Sequence, residues 1–298
     1  MLNNLNYPFK QHSWYIVNNI GVIGYAFYNN EVLEKNNLVS FFSGITSEDE
    51  FETALTQLDG SFAVWMQHEH FTAAAVDIIR SIPILYTFLD GKLVPFKSDI
   101  KSYEKNNLGI QQLKNAWCVL DNETLLEDVF QLQAGQYIFS HQNKKVKPKY
   151  YYKHFAEKKN TLTTIEDAKQ VLDNTFKKFI PFLQNKQVVI PLSGGYDSRL
   201  MLAKMVEHEH QNIIAYTYGN PNSHEVKIAK KVCETLNVEW HFVEYTEEVF
   251  KSFFSNSWSA YSNKNHFYSG LPHEQDFFAL KVLKERGILQ SGFVALPG

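Results

Sequence analysis

Gln187-Val188-Val189-Ile190-Pro191-Leu192-Ser193-Gly194-Gly195-Tyr196-Asp197-Ser198 decides how the second half of this chain folds. Its first six residues form an apolar run of strand length, and Arg199 to Val206 reads as a helix. Between them lies a turn of small residues. A strand, a small-residue turn and a helix N-terminus make an anion-binding site, because the first helical N–H groups lack partners and the helix dipole favours negative charge. Gly194 and Gly195 let the main chain approach a phosphate where a Cβ would block it. The hydroxyls of Ser193 and Ser198 add donors, and Asp197 offers a carboxylate for the Mg²⁺ that accompanies a polyphosphate. Ser-Gly-Gly alone reads as a flexible turn; S-G-G-x-D-S between a strand and a helix points to nucleotide phosphate.

Outward from that stretch, strands and helices alternate. Strands are expected at 187–192, Ile213 to Tyr218, Glu239 to Glu244 and Ile288 to Leu296, and helices at 197–208, His224 to Leu236, 246–254 and 272–286. Val226, Ala229, Cys233 and Leu236 form one apolar stripe on the second of these helices. Alternation of this kind predicts an α/β fold, a doubly wound parallel sheet whose ligands bind outside the carboxyl ends of the strands. Ser193 and Gly219 fall at such ends. Ser255 to Gly270, rich in Ser, Asn, Tyr and Trp, reads either as a substrate-facing segment or as a surface loop.

Before about residue 155 the pattern is of strands and turns. Ser61 to Met66 and Phe71 to Val76 read as neighbouring strands, Ile84 to Leu89 and Lys92 to Phe96 as a hairpin about Asp90-Gly91, and Gln136 to Ser140 with Lys145 to Tyr152 as another. Residues 155–164, with Glu157, Lys158, Lys159 and Asn160, suit a linker. Thr163-Thr164-Ile165-Glu166 then supplies a capping-box signature for a helix to about Leu183. Three domain segments follow: 1–155, a linker and connecting helix over 156–186, and 187–298.

The 298 residues carry a net charge of −3, which leaves no global electrostatic footprint for nucleic acid. No apolar run approaches a membrane span and residues Met1 to Lys10 lack a signal-peptide core, so the expected compartment is the cytoplasm. Cys118 and Cys233 give neither a disulfide framework nor a metal cluster. His68-Glu69-His70 and His208-Glu209-His210 lack the spacing that puts two imidazoles on one helix face, and solvated side chains are expected there.

The hexapeptide resembles the pyrophosphate loop of the ATP pyrophosphatases. Leu192 to Ser198, Ala215-Tyr216-Thr217-Tyr218-Gly219 with Ser223-His224-Glu225, and Asn237 to Phe242 together resemble the synthetase domain of the asparagine synthetase family. That resemblance implies an ATP-dependent amide ligase. A carboxylate, aspartate by family default, is adenylated with release of pyrophosphate, and an amine then displaces AMP. It implies ATP and Mg²⁺ as cofactors, with Asp197, Ser193 and Ser198 as catalytic residues and Asp197 as metal ligand. Leu192, Ser193, Gly194, Gly195, Asp197, Ser198, Tyr218, Pro297 and Gly298 are the implied nucleotide-binding set. Leu192 and Tyr218 would line the adenine pocket; Tyr218 reads equally as a buried sheet aromatic. Arg199 could reach a phosphate or lie on the exposed helix face.

The N-terminal half resembles, more faintly, the family's Ntn-hydrolase-like α+β glutaminase domain, through Thr46 to Phe51, Leu58 to Trp65, and Val76-Asp77 with Arg80 through Tyr86. The chemistry of that domain needs an N-terminal cysteine, and here residue 2 is Leu2. The expectation is a degenerate glutaminase domain, with nitrogen taken from free ammonia or another amine. In the family a glycine-rich acidic turn follows the strand that here ends Leu296-Pro297-Gly298, so the chain is expected to be a fragment. Implied partners are small-molecule carboxylate and amine substrates, with no nucleic acid, no membrane, and a homodimer as a possible assembly. A catalytically inactive ATP-binding or scaffold protein is the alternative, and the acidic charge balance weighs against a tRNA-modifying pyrophosphatase.

Overall fold

The computed structural model describes residues 14–97, 102–141, 144–155 and 164–298. Leu2 and the expected linker residues Glu157, Lys158, Lys159 and Asn160 lie outside these. The chain forms two compact units, Met1–Glu157 with Tyr261–Pro272, and Lys158–Ala260 with His273–Gly298.

In the first unit, β1 (Tyr15–Val17), β2 (Ile20–Tyr28), β3 (Glu31–Glu34), β4 (Asp59–Gln67), β5 (Phe71–Val76), β9 (Gln136–His141) and β10 (Lys149–Tyr150) make one antiparallel sheet. The path is β1-β2-β4-β5-β9-β10, with β3 also on β2. A smaller sheet joins β7 (Lys92–Pro95), β6 (Leu85–Leu89) and β8 (Phe130–Gln131). Period-two burial along β4 sorts the two cores: Phe62, Val64 and Met66 point one way, Ala63 and Trp65 the other. The first face is covered by α1 (Lys35–Phe42) and α2 (Glu48–Thr56) through Phe42, Phe51 and Leu55, the second by the small sheet through Ile84, Tyr86 and Leu93.

The expectation of strands and turns alone missed these helices and α3 (Asn107–Ala116). Their local signals are present: Ser47 and Glu50 close a reciprocal capping box on α2, and Asn106 caps α3 through the Gly109 N–H at 3.1 Å. The second expected strand of the last hairpin contracts to Lys149–Tyr150. Residues 261–272 complete this unit. Val119 N–H and Leu125 N–H each donate at 2.7 Å to the carbonyls of Ser269 and Tyr268, and Tyr268 packs edge-on against Phe96.

The second unit opens with α4 (Ile165–Leu183). Its capping box is Thr164 with Asp167, one residue later than the expected pair, because Asp167 reaches back to the Thr164 N–H at 3.0 Å. Four parallel strands follow in the order β13 (Glu239–Glu244), β12 (Ile213–Gly219), β11 (Val188–Pro191), β14 (Val294–Ala295). Val188 and Ile190 pack with α4, α5 (Tyr196–Glu207) and α6 (His224–Leu236), whereas Val189, Tyr216 and Val243 pack with α7 (Glu247–Phe253) and α9 (Gln275–Glu285). The result is mixed α/β with a parallel sheet covered on both faces.

Two elements differ from what the sequence pattern predicts. The strand expected over Ile288 to Leu296 pairs only at Val294–Ala295. Gly287 and Gly292 turn the chain with φ of 73° and 77°, and the Gln187 side chain bonds the Ile288 carbonyl at 3.1 Å and the Gln290 N–H at 2.8 Å. A side chain thus occupies the backbone groups that a longer strand would have used. The loop expected over Ser255 to Gly270 is instead helical to Asn265, a π-helical turn (Phe254–Trp258) running into α8 (Ser259–Asn265). Aromatic contacts between Phe253, Phe254 and Trp258 hold that turn.

Candidate active site

Strand order places the site. The chain leaves β11 for β12 on one side and returns to β14 on the other, so the carboxyl ends of β11 and β14 flank a topological switch point, where open parallel sheets leave a crevice. Leu192-Ser193 follows one strand and Leu296-Pro297-Gly298 the other. They open on a cavity of about 650 Å³ within the second unit.

One wall is the Ser193–Ser198 loop. The Ser198 hydroxyl is buried and accepts from the Ser193 N–H at 3.1 Å; the two serine oxygens are 3.1 Å apart, and Ser193 Oγ accepts from the Gly195 N–H at 3.1 Å. A hydroxyl has one proton. If Ser198 gives its proton to Ser193 Oγ, the Ser193 proton is left for a ligand. Ser198 therefore acts in the geometry as the clasp of the loop. α5 then starts at Tyr196 with no side-chain cap, which leaves its first N–H groups without a side-chain partner beside Asp197.

The two glycines differ. Gly195 has φ −73° and ψ 159°, open to any residue, and a Cβ there would touch only Ser193 Oγ, at 3.1 Å. It would otherwise project into open space. A Cβ at Gly194 would face α6 instead, at 3.4 Å from Glu225 and 3.5 Å from Ile228. Gly194 is also missing from the lining of the cavity. The fold itself needs no glycine at 195. Gly298, by contrast, lies so close to the start of α5 that its Cβ would stand 2.2 Å from the Ser198 nitrogen.

The other wall is aromatic and acidic. Tyr216 and Tyr218 share a face of β12, and Tyr218 stacks on Tyr245 with centroids 4.8 Å apart and planes 15° apart. Asp276, in the first turn of α9, accepts from the Tyr216 hydroxyl at 3.1 Å and, at its other oxygen, from His273 Nε2 at 3.1 Å. Burial first, then the charge of Asp276, pushes the Tyr218 phenol up to about 12; Tyr216 is pushed up for the same reasons, and Tyr245 by burial and then by Tyr218. All three remain neutral donors at neutral pH. Phe250 and Phe254 complete the wall with near-parallel rings, both substantially exposed.

Eight of the nine residues expected to bind nucleotide, all but Gly194, line this one cavity. Leu192 is buried, its carbonyl taking the Thr217 hydroxyl at 2.8 Å. Arg199 turns away: its Nε donates to the Gly195 carbonyl at 3.1 Å and its guanidinium sits 4.3 Å from the Tyr196 ring centroid. Tyr245, Phe250, Glu274 and Asp276 were invisible to sequence reading, since only the Tyr216/Tyr218 alternation hints at a tyrosine face. Among the described residues lining the cavity, four are carboxylates (Asp197, Glu225, Glu274, Asp276) and none is Lys, Arg or His.

The remaining candidates lie elsewhere. His68 stacks on Phe71 and His208 on Phe176, both partly buried rather than solvated as expected. Cys118 is exposed, and Cys233 is buried, its thiol pushed up to about 12 by desolvation. No helix among the described residues is long and apolar enough to cross a membrane.

Comparison with known proteins bears on the same part of the chain. No curated protein matches the sequence. Among solved structures, an NH3-dependent NAD synthetase from Campylobacter jejuni in complex with the nitrate ion is 16% identical over 40% of this chain and 48% of its own, with a TM-score of 0.27. A glutamine phosphoribosylpyrophosphate amidotransferase from B. subtilis, complexed with ADP and GMP, is 11% identical over 80% of this chain and 51% of its own, again at 0.27. The chain thus spans about half the length of these proteins. Residues 170–268 match the model of the family described as asparagine synthase. That matched stretch holds the Ser193–Ser198 loop and strands β11, β12 and β13.

Proposed function

We propose that this chain is an ATP-dependent amide ligase of the asparagine-synthase type. One observation carries the reading: an uncapped helix start and a Ser-Gly-Gly loop open, at the switch point of a parallel sheet, onto a cavity large enough for a nucleotide. The N–H groups at the start of α5, with the Ser193 hydroxyl, hold the pyrophosphate end of ATP and stabilise charge as it develops there. A carboxylate oxygen of the substrate, aspartate by family default, attacks the α-phosphorus, the bond to the bridging oxygen breaks, and pyrophosphate leaves. An amine then attacks the acyl carbon, loses a proton, and displaces AMP.

A polyphosphate brought against four carboxylates needs a cation. Mg²⁺ is held largely by phosphate and water, so a single protein carboxylate suits it, and Asp197 beside the loop is the residue that would supply that ligand. When bound, the ion neutralises the phosphates. In this reading the first unit contributes no ammonia from glutamine, and the amine arrives from solution. Residues 1–155 would then be a degenerate glutaminase-like domain and 187–298 the synthetase domain.

ATP–pyrophosphate exchange with a panel of carboxylates tests the proposal. Exchange is expected with at least one carboxylate and should vanish in Asp197→Ala. Unchanged exchange in that variant would remove Asp197 from the chemistry. ATP binding without exchange for any carboxylate would favour the inactive ATP-binding alternative.

A further inference from the structure

The aromatic and acidic part of the cavity lining has a chemistry of its own. Asp276 is held from two sides by Tyr216 and His273, so its carboxylate is oriented before any ligand arrives. A carboxylate offers only acceptors, and its two oxygens have about four lone-pair sites, more than these partners use. Beside it stand the flat faces of Tyr218, Tyr245, Phe250 and Phe254, two of them stacked on each other and two substantially exposed. An oriented acceptor next to exposed aromatic faces fits a flat heteroaromatic group bearing an N–H donor, which uses the carboxylate and the ring faces together.

We propose that Asp276 is the base-selecting residue of this cavity, accepting a hydrogen bond from the 6-amino group of adenine while the triphosphate lies on the Ser193–Ser198 loop. This rests on the nucleotide reading above. Tyr216 spends its proton on Asp276 and Tyr245 on the Gln275 carbonyl, which leaves the Asp276 carboxylate as the charged acceptor beside the rings. A site built to bond an N–H discriminates strongly against an analogue that lacks it, because the oriented acceptor is then left without its partner.

The probe is purine riboside 5′-triphosphate, which is ATP without its 6-amino group, titrated calorimetrically alongside ATP and GTP with Mg²⁺ and the full chain. Wild type is expected to bind ATP at least about tenfold tighter than the probe. Asp276→Ala should bring the two affinities within about threefold, and Asp276→Asn, which keeps an acceptor, should restore part of the preference. Should Asp276→Ala not fold, Asp276→Asn and the isosteric Tyr216→Phe read the same ratio, each expected to lower it. An unchanged ratio in the folded variants overturns the proposal, and so does GTP binding tighter than ATP, since the carboxylate would then be reading the guanine edge. A raised KM for the amine with an unchanged ratio overturns it too, and makes Asp276 an amine site. The two levels separate cleanly. If Gly195→Ala weakens both triphosphates equally while Asp276→Ala leaves their ratio alone, only the base assignment falls; if wild type binds neither, the nucleotide reading falls with it.

Discussion

Gly195→Ala separates binding from folding at the loop. At φ −73° and ψ 159° alanine is unstrained, and the new methyl meets only Ser193 Oγ at 3.1 Å. Two small effects on stability oppose each other. Alanine is a poorer helix N-cap than glycine, by about 1 kcal/mol. Replacing glycine also removes unfolded-state freedom, which stabilises by about 0.4–1 kcal/mol. The net change should stay within about 1 kcal/mol in denaturant titration. The methyl, however, stands where the phosphate chain would approach the main chain, and ATP binding should fall at least tenfold, about 1.4 kcal/mol or more. Gly194→Ala is the control: its methyl faces Glu225 and Ile228 at ordinary contact distance, so both stability and ATP affinity should hold. Titration calorimetry on the three proteins decides the matter. Parental ATP affinity in Gly195→Ala, or a loss confined to Gly194→Ala, would refute the phosphate-cradle reasoning.

Other perturbations test the frame around the site. Asp77 is buried and accepts from the N–H groups of Phe62, Ile79 and Ser81 and from the Ser81 hydroxyl, so Asp77→Ala strands several donors and should destabilise the first unit by about 3 kcal/mol, measured by denaturant unfolding. In the second unit Lys204 joins Asp173 of α4 to Glu207 of α5, and its hydrogen bond holds the Asp173 carboxyl below the usual carboxylate range. Folded Asp173 therefore binds fewer protons than unfolded Asp173. Its contribution is present above about pH 3.9 and is lost as pH falls through the folded value. Melting temperatures from pH 6 to pH 3 should drop less steeply in Asp173→Asn than in wild type, and parallel curves would count against the pairing. Glutamine supplied in place of ammonium should support no amide formation and release no glutamate; measurable glutaminase activity would contradict the reading of the first unit.

Much of the second unit was legible because its signals are local. Ser223 caps α6 from three residues away, through the Val226 N–H at 3.3 Å. Asn237 ends that helix in a left-handed conformation with φ 53°, and β13 begins two residues later, as its pattern predicts. Aromatic packing misled the reading of 255–270, where Ser and Asn suggest a loop but Phe253, Phe254 and Trp258 bind the segment into helix. In the first unit α1 and α2 were hidden among strands because their apolar faces, Leu38, Val39 and Phe42, then Phe51 and Leu55, span barely two turns each.

By itself the sequence determined the strand, turn and helix around Ser193–Ser198, since backbone geometry there depends on residues no more than five positions apart. It equally determined the alternation that makes the sheet parallel. Only the tertiary structure decided that β14 lies on the far side of β11, which brings Gly298 against the start of α5 and opens the crevice. It alone set Asp276 on Tyr216, sixty residues apart in the chain. Such pairings follow from how strands order and helices pack, and those are settled by burial summed over the whole unit rather than by any local run of residues.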